Sequence, residues 1–579
     1  MRQTELFQCE PNASVSEKYP IGAISSAIKD GQKRIEINGI EQSVSALFLS
    51  ELQQESRRPI VVITPQESDA RRVVSDLRFV NGDPSKVTLI GGIDASPYGH
   101  LSPDRSAVMS LLAGLSALVW DSNGPTIVAS AVTMARRVMP RDVLVDHSYL
   151  VSVGQDLDRR QCLRALADAG YRAVSVVEDQ GTFALRGGII DVFPPHLDSP
   201  VRMELWGDEV ESIRPFDPQT QRTRGTAVEA VLFPPVREEL LIAPFIEYAR
   251  RGIRNAAGEV DMPTRKIQPM LDDLSNGIPF MGIEAFRPAF YQNTDTVFSY
   301  LPDDAIIVHL DPLGIAQTLR DHWEGQGAAR EGCLKKGDLS LPADAHGISP
   351  NEFSGALTHR IQLRCHGIHM VDELGAIDGP ENAVKFDIPG NTFLANALTR
   401  SRSDQVPLRP LAIWVRERAE DGVRTILSCR QETQLDRLER LLKNFGVPVV
   451  RSTESAGTLF QPTAAKNVGA ILVRGDIQAG FHLPSRGIAL VTEQEIFGRR
   501  APKRRPQAVD SGNPFIQDFK ELSDGDLVVH TDHGIGRYTG LTKLAVGAHE
   551  NDFLVLEFAG RDKLYLPVYK LGRLQKYSG

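Results

Sequence analysis

Four short runs near the end of the chain alternate apolar and polar residues with a period of two. They are Leu527–His530, Gly536–Leu544, Asp552–Phe558 and Lys563–Leu566, and turn-forming residues separate them. A strand with this alternation buries one face in a core and leaves the other face in water. Because the glycines break any helical spacing, the pattern favours a small, closed, all-β module.

The first 345 residues follow a different pattern, in which strands alternate with helices. A predicted helix over 21–31 precedes a strand-like run at 34–40, and a second apolar run at 59–65 lies between two predicted helices. Strands that alternate with helices predict a parallel α/β sheet. The apolar run at 305–310 fits the same sheet, so we interpret residues 148–230 as a domain inserted into it.

The turn after the first predicted strand stands where a P-loop would hold phosphate. Gly39 matches the first glycine of that motif, but Val44 replaces the second and blocks close approach of phosphates. Ser45 and Ala46 replace the lysine and the hydroxyl residue that would hold phosphate and magnesium. We therefore expect a degenerate nucleotide-binding fold without catalytic residues. The alternative is an active ATP-dependent helicase or nuclease subunit with an unorthodox nucleotide site near Gly39.

Other glycine-rich and histidine-containing stretches predict no further chemistry. Gly534, Gly536 and Gly540 lack the spacing of a dinucleotide-binding loop, and we assign them to turns and bulges. Candidate metal ligands occur in two groups, which are His530 with His533, and Cys365 with His366 and His369. Neither group has a second ligand pair at the spacing of a zinc site, so we predict no metal site.

Composition limits the functional classes. A chain of 579 residues with 41% apolar and 24% charged residues is typical of a soluble protein of several domains. Five scattered cysteines, no long apolar run and no signal-like N-terminus favour a cytoplasmic protein that does not cross a membrane. The net charge of -9 excludes the basic surface that is typical of nucleic-acid-binding proteins, so any contact with double-stranded DNA should be weak or local.

The C-terminal strand pattern carries a specific resemblance. The sequence VVHTDHGIGRYTGL at 528–541, followed by KLYLPV at 563–568, resembles the RNA polymerase-interacting domain of the bacterial transcription-repair coupling factor family, Mfd. The resemblance implies a small Tudor-like or CarD-like β-barrel that binds the β subunit of RNA polymerase through a strand edge. The implied contacts lie on one edge strand and are Tyr538, Thr539, Gly540, Leu541, Thr542, Lys543 and Leu544. Leu544 could be an apolar anchor or a core residue.

Residues 148–230 carry a second resemblance, which is specific at 186–223. The sequence EDQGTFALRGGIIDVFPP at 178–195 and a predicted hairpin at 201–215 are similar to the UvrB-homology module of the same family, whose second domain docks onto UvrA. The implied docking positions combine arginines with aromatics, as binding hot spots do, and are Arg164, Arg172, Phe183, Arg186 and Phe193. Two alternatives stay open, since Phe193 could be a core residue and Arg186 could pair with Asp191.

The resemblance extends over nearly the whole chain and implies its organisation. The predicted segments are a UvrB-like α/β domain in two parts (1–147 and 231–345), an inserted UvrA-docking α+β domain (148–230), a connecting segment (346–405), a small α/β domain (406–498), a basic linker (499–515), and the β-barrel with the start of a following helix (516–579). The implied function is an adaptor in transcription-coupled nucleotide excision repair that binds stalled RNA polymerase and recruits UvrA. The family's ATP- and magnesium-dependent motor would begin where this sequence stops, so we expect no cofactor and no ATP hydrolysis here.

Overall fold

The chain divides into two compact units, Met1–Arg499 and Arg500–Gly579. The computed structural model describes residues 19–40, 42–99, 102–121, 125–367, 383–388, 390–401, 408–452, 456–460, 469–498, 525–530, 534–546, 549–558, 563–567 and 574–576. The larger unit contains parallel and antiparallel sheets, and the described residues of the smaller unit form an antiparallel sheet. The mixed α/β, multidomain class predicted from the sequence is confirmed.

The elements follow one another along the chain in five segments. The first comprises α1 (Ile21–Lys29), β1 (Arg34–Asn38), α2 (Gln42–Ser56), β2 (Ile60–Thr64), α3 (Glu67–Asn81), β3 (Val87–Leu89), α4 (Arg105–Trp120), β4 (Thr126–Ser130), α5 (Ala131–Ala135), β5 (Arg137–Val138) and α6 (Arg141–Asp146). The inserted domain comprises β6 (Tyr149–Ser152), α7 (Arg159–Asp168), β7 (Arg172–Ala173), β8 (Thr182–Arg186), β9 (Ile189–Phe193), β10 (Val201–Trp206), β11 (Glu209–Pro215) and β12 (Ala230–Phe233). The first domain then continues with α8 (Ala243–Glu259), α9 (Thr264–Ser275), β13 (Asp295–Thr296), α10 (Val297–Tyr300), β14 (Ile306–Leu310), α11 (Pro312–Lys335), α12 (Ala343–His346), α13 (Pro350–Leu357), β15 (Ile361–His366) and β16 (Val384–Lys385). A second α/β domain comprises α14 (Thr392–Arg400), α15 (Arg409–Glu420), β17 (Arg424–Cys429), α16 (Glu432–Asn444), β18 (Val449–Arg451), α17 (Ala456–Leu459), β19 (Ala470–Arg474), β20 (Phe481–Leu483), β21 (Ile488–Thr492) and α18 (Glu493–Phe497). The smaller unit comprises β22 (Leu527–His530), β23 (Gly534–Val546), β24 (His549–Phe558), β25 (Lys563–Pro567) and β26 (Leu574–Lys576).

A seven-stranded parallel sheet organises the first domain, in the order β16-β1-β15-β14-β2-β4-β3. Every residue of β2 and β4 is buried, as expected when helices cover both faces of a parallel sheet. Alternate residues of β2 enter two cores, with Val61 and Ile63 on one face and Ile60 and Val62 on the other. Because β14 lies directly beside β2, the strands before and after the inserted domain belong to one sheet.

The sheet extends further along the chain than its sequence pattern indicates. Residues 346–405 are predicted to be a connecting segment, yet β15 and β16 lie in this sheet beside β1. Leu363 and Cys365 of β15 are buried, whereas Gln362, Arg364 and His366 alternate with them and are partly exposed. These polar positions interrupt the continuous apolar run that usually marks a buried parallel strand.

The second α/β domain packs against the first through a shared apolar core. Its sheet has the order β18-β19-β17-β21-β20, in which β20 runs antiparallel to β21 and the other ladders are parallel. Val473 and Phe481 of this domain belong to the same core as Leu77 of α3. The rings of Phe79 and Phe460 also meet edge to face, with centroids 6.4 Å apart.

A buried carboxylate lies in this interface. Asp76 of α3 is 4% exposed, and its Oδ1 accepts a hydrogen bond from the Gln478 backbone N–H at 3.1 Å. Burial, aided by the Asp476 carboxylate and opposed by the Gln478 N–H, raises the pKa of Asp76 from its ordinary 3.8 to about 7. The folded chain therefore holds this proton more tightly than the unfolded chain. The stability that Asp76 contributes is complete below the unfolded pKa and is lost as the pH rises through the folded pKa.

Asp76→Asn is expected to stabilise the chain more at high pH than at low pH. Asparagine keeps an oxygen acceptor for the Gln478 N–H and brings no charge into the interface. The stabilisation should grow by about 2 kcal/mol between about pH 5 and about pH 8. Urea unfolding at both pH values measures it, with Asp30→Asn at an exposed carboxylate as the control. An equal effect of Asp76→Asn at the two pH values contradicts this expectation.

The smaller unit is an antiparallel sheet in the order β25-β24-β23-β22-β26. Its buried side chains are Val528, Tyr538, Leu554, Leu556 and Leu566. The period-two pattern is confirmed for Leu554 and Leu556 in β24, whereas in β22 the buried residue is Val528 and Leu527, which the pattern places on the buried face, is exposed. Within the described ranges the two outer strands, β25 and β26, share no ladder, so closure into a barrel stays a prediction. The structure places the strand β26, paired with β22, where the start of a following helix is predicted.

Candidate docking surfaces

One face of the inserted domain carries polar and exposed side chains. Its sheet has the order β11-β10-β9-β8-β7, and residues opposite one another in neighbouring strands share a face. The register of β8, β9 and β10 and the alternation along them define one face, and we call six of its residues the arginine face: Arg186, Ile189, Asp191, Arg202, Glu204 and Trp206. The opposite face is apolar, because Ile190 and Met203 pack there against Cys162 and Leu166 of α7.

A buried carboxylate organises the arginine face. The Asp191 side chain is 0% exposed, and its Oδ2 accepts a hydrogen bond from Arg186 Nη2 at 2.7 Å. Arg202 donates to both oxygens, from Nε at 2.8 Å and from Nη2 at 2.9 Å, and its guanidinium lies 4.7 Å from the centroid of the Phe216 ring. The hydrogen bonds to Asp191 raise the pKa of Arg202 above its ordinary value.

Gln221, a residue that the sequence pattern does not single out, holds Arg186 in place. The backbone of Gln221 has φ 60°, a left-handed conformation that is uncommon outside glycine. Its Oε1 accepts a hydrogen bond from Arg186 Nη2 at 3.1 Å, and its Nε2 donates to the carbonyls of Val177 and Pro218 at 3.1 and 2.7 Å. Arg186 is thus fixed by two partners while its side chain stays 43% exposed. In the described part of the chain its Nε and Nη1 have no partner.

The predicted docking arginines lie in two layers. Arg172 begins β7 opposite Thr182 of β8, and the alternation along β8 puts Thr182 on the same face as Arg186. Arg172 and Arg186 therefore share the arginine side of the sheet. Arg164 is exposed on α7, which covers the apolar side, and it pairs with Asp168 at 3.9 Å.

The two predicted docking aromatics are core residues. Phe183 packs in the apolar core with α7, and Phe193 packs with Phe216 on the arginine side. Phe183 is 7% exposed and Phe193 is 8% exposed, and their role as contact residues stays a prediction. For the two alternatives that the sequence leaves open, the structure has Phe193 in a core and Arg186 paired with Asp191.

The position of the degenerate P-loop is filled by protein. Gly39 has φ 84°, and a Cβ at this residue would collide with the carbonyl oxygen of Phe386. The Phe386 N–H donates to the Asn38 carbonyl at 2.8 Å. Its ring packs edge to face on Tyr19 and Phe48, with centroids 5.4 and 5.5 Å apart. The residues that replace the phosphate-binding ones, Val44, Ser45 and Ala46, are buried in α2. Among the described residues, the backbone of Phe386 occupies the space beside this turn.

The strand with the predicted polymerase contacts is β23, and the number of strands that pair with it changes along its length. Between Tyr538 and Leu541 the pairing with β24 shifts, so that Thr539 and Gly540 oppose one residue and form a β-bulge. Before the bulge, residues 536–537 pair with both β22 and β24. After it, in the described ladders, residues 541–546 pair with β24 alone. The edge predicted for 538–544 therefore begins after the bulge.

The predicted polymerase contacts divide in the same way. Tyr538 is buried and exchanges backbone hydrogen bonds with Gly525 and Asp526, so it belongs to the core and not to the edge. Thr539 is exposed and its hydroxyl donates to the Val555 carbonyl at 3.2 Å, and Thr542 is partly exposed. The alternatives for Leu544 stay open, since its side chain, like those of Leu541 and Lys543, lies outside the described residues.

The candidate metal ligands form no metal site in the described part of the chain. Among the described residues, no group of three or more His, Cys, Asp or Glu side chains could hold a metal ion. Cys365 is buried, and His366 Nε2 lies 2.7 Å from a carboxylate oxygen of Glu36. His369, His533 and the predicted linker at 499–515 lie outside the described residues, as does the side chain of His530. Each described helix is too short or too polar to cross a bilayer.

Comparisons with known proteins identify the same two regions. The family described as "UvrB interaction domain" matches residues 150–237, and the family described as "CarD-like/TRCF RID domain" matches residues 522–578. The chain is 35% identical to the transcription-repair-coupling factor of Myxococcus xanthus over 573 residues, which cover 97% of this chain and 47% of that relative. The transcription-repair-coupling factors of Bacillus subtilis (strain 168) and Escherichia coli (strain K12) are 25% and 27% identical, over 98% and 95% of this chain and 47% and 46% of their own lengths. The chain spans about half the length of these curated relatives, and the resemblance stated from the sequence is confirmed.

Proposed function

We propose that this chain is a cytoplasmic adaptor in transcription-coupled DNA repair. Its inserted domain would dock UvrA, and its smaller unit would dock the β subunit of RNA polymerase. Similarity to transcription-repair-coupling factors along 97% of the chain supports this setting. The observation that carries the proposal is the arginine face, because it combines a fixed, partly exposed arginine with the domain that matches the UvrB interaction family.

The arginine face is prepared for a protein partner before it binds one. Asp191 and Gln221 hold the Arg186 guanidinium in one position, so little side-chain freedom is lost when a partner binds. The free Nε and Nη1 donors can then bind a carboxylate in a fixed geometry. Arg172, on the same side of the sheet, extends the surface toward the β7 edge.

Arg186→Ala is expected to weaken UvrA binding by about tenfold to a hundredfold, as loss of a hot-spot arginine does. The substitution removes the exposed donors and leaves the core of the domain intact. Titration calorimetry of the purified chain with UvrA measures the effect. Arg160→Ala, at an exposed arginine on α7 that is not among the predicted contacts, is the matched control and should change the affinity by less than about threefold. Unchanged binding by Arg186→Ala, or equal weakening by both variants, contradicts the assigned face.

For RNA polymerase, the proposed contact is the second half of β23. Residues 541–546 pair with one neighbour in the described ladders, so their other side offers backbone donors and acceptors to an added strand. Main-chain hydrogen bonds would supply affinity, and the side chains of the strand would select the register. The match of residues 522–578 to the CarD-like/TRCF RID family supports this assignment.

The proposal assigns no nucleotide chemistry to the larger unit. The segment around Phe386 fills the turn at Gly39, and this supports an adaptor over an ATP-dependent enzyme. In a protein as long as the curated relatives, ATP, magnesium and most of the contact with double-stranded DNA would belong to the other half of the sequence.

A further inference from the structure

Trp206 is the most exposed large apolar side chain among the described residues, at 79%. It ends β10 on the arginine face, beside the turn that joins β8 to β9. That turn consists of Gly187 and Gly188, which directly follow Arg186, and the Leu205 N–H donates to the Gly188 carbonyl at 2.8 Å. The indole of Trp206 therefore stands next to a turn without side chains.

One glycine in each of the two turns at this end of the sheet faces open space, while the Arg159 guanidinium donates to the Gly207 carbonyl. A Cβ added to Gly187, or to Gly207 in the following hairpin turn, would meet no atom within 4 Å. A tryptophan that packs in a core or an interface buries about 150–250 Å². An indole left in water on the same face as a fixed, partly exposed arginine has the composition of a binding hot spot in its unbound state.

The charges near Trp206 select the class of partner. Glu204 lies on the same face of β10, and Asp208 and Glu209 follow Trp206 in the hairpin turn and β11. Asp208 pairs with Arg159 at 3.8 Å, and the remaining two carboxylates, Glu204 and Glu209, would repel the phosphate backbone of a nucleic acid. Arg186 still offers two nitrogen donors to a carboxylate. The complementary surface is a protein with an apolar recess for the indole and an acidic side chain beside it.

We propose that Trp206 is the apolar anchor of the arginine face and inserts into a recess of UvrA, next to a carboxylate that binds Arg186. This inference rests on the proposed docking of UvrA and names the residue that would give it most of its apolar contact. A rigid indole loses little conformational entropy on binding, because only two torsion angles have to be fixed.

Trp206→Ala is expected to weaken the binding of purified UvrA by about tenfold or more, and Trp206→Phe by less than about threefold, because Phe keeps an aromatic ring for the recess. Trp120→Ala is the matched control, since Trp120 is 45% exposed on α4, outside the inserted domain, and its loss should leave the affinity unchanged. The difference in fluorescence between wild type and Trp206→Phe reports the indole itself. This signal should be quenched by iodide in the free chain and protected from iodide in the complex.

The outcomes separate this inference from the function on which it rests. If UvrA binds the wild type and Arg186→Ala weakens binding while Trp206→Ala does not, the anchor is overturned and the docking of UvrA stands. If the wild type does not bind UvrA, the proposed function and the anchor both fall. Thermal unfolding of Trp206→Ala should match that of the wild type, because the side chain packs against little; a large loss of stability would itself overturn the assignment of Trp206 to a free surface.

Discussion

Asp191→Ala is expected to lower the free energy of unfolding of the inserted domain by about 3–5 kcal/mol, the usual cost of leaving buried charges without a partner. The substitution removes the carboxylate that pairs with both Arg186 and Arg202. The lost ion pair with Arg202 costs more than that with Arg186, because the Arg202 side chain is largely buried beside the ring of Phe216. Binding of UvrA should also be lost, since Arg186 is no longer held in place. Hydrogen exchange of the amides of β8, β9 and β10 under increasing urea measures the stability of this domain.

Two further variants make the Asp191 result specific. Asp191→Asn keeps an oxygen acceptor without the charge and should lose less stability than Asp191→Ala. Asp198→Ala removes an exposed carboxylate of the same domain and should change the unfolding free energy by less than about 0.5 kcal/mol. If Asp191→Ala costs no more than Asp198→Ala, the carboxylate does not organise the arginine face.

Phe386→Ala is expected to lower the free energy of unfolding of the first domain by about 3–4 kcal/mol, as large-to-small substitutions in a core do. The change removes a buried ring that packs against Tyr19 and Phe48, and it opens a cavity beside Gly39. The variant should still not bind ATP, because the turn and the start of α2 lack the lysine and the glycine that a phosphate needs. Urea unfolding measures the loss of stability, and titration with a fluorescent ATP analogue measures binding.

A phenylalanine on the surface is the control for Phe386. Phe393 on α14 is 68% exposed, and Phe393→Ala should change the unfolding free energy by less than about 0.5 kcal/mol. Specific binding of the ATP analogue by the wild type would contradict the view that this turn has lost its nucleotide. Binding gained by Phe386→Ala would show that the ring alone had blocked a working site.

The parallel sheet was largely predictable because its central strands are buried on both faces. Such strands appear in the sequence as apolar runs, as β2 and β14 do. The sequence does not predict β15, because the buried residues Leu363 and Cys365 alternate with polar residues. The sequence does not predict β26 either, because three residues are too few to show the period-two alternation of a strand. Its strand structure depends on pairing with β22.

Only part of the candidate site could be inferred from the sequence, namely the part in which the residue type alone indicates binding. The resemblance to the UvrB-homology module implies Arg186 as a docking residue, and its pairing with Asp191 follows from their proximity on adjacent strands. Gln221 contacts Arg186 from a left-handed backbone conformation that glutamine rarely adopts. Trp206 is exposed because the neighbouring turn consists of Gly187 and Gly188, which have no side chains to cover it. The burial of Phe183 and Phe193 depends on which layer covers each face of the sheet, which no local pattern reveals.

The adaptor function requires one molecule of the chain to carry both partners at once. Sedimentation of the purified chain with UvrA and a fragment of the RNA polymerase β subunit measures the mass of the complex that forms. We predict a complex of all three proteins, from which Arg186→Ala removes UvrA and leaves the polymerase fragment bound. Failure of the wild-type chain to bind either partner, or displacement of one partner by the other, would contradict the proposed function.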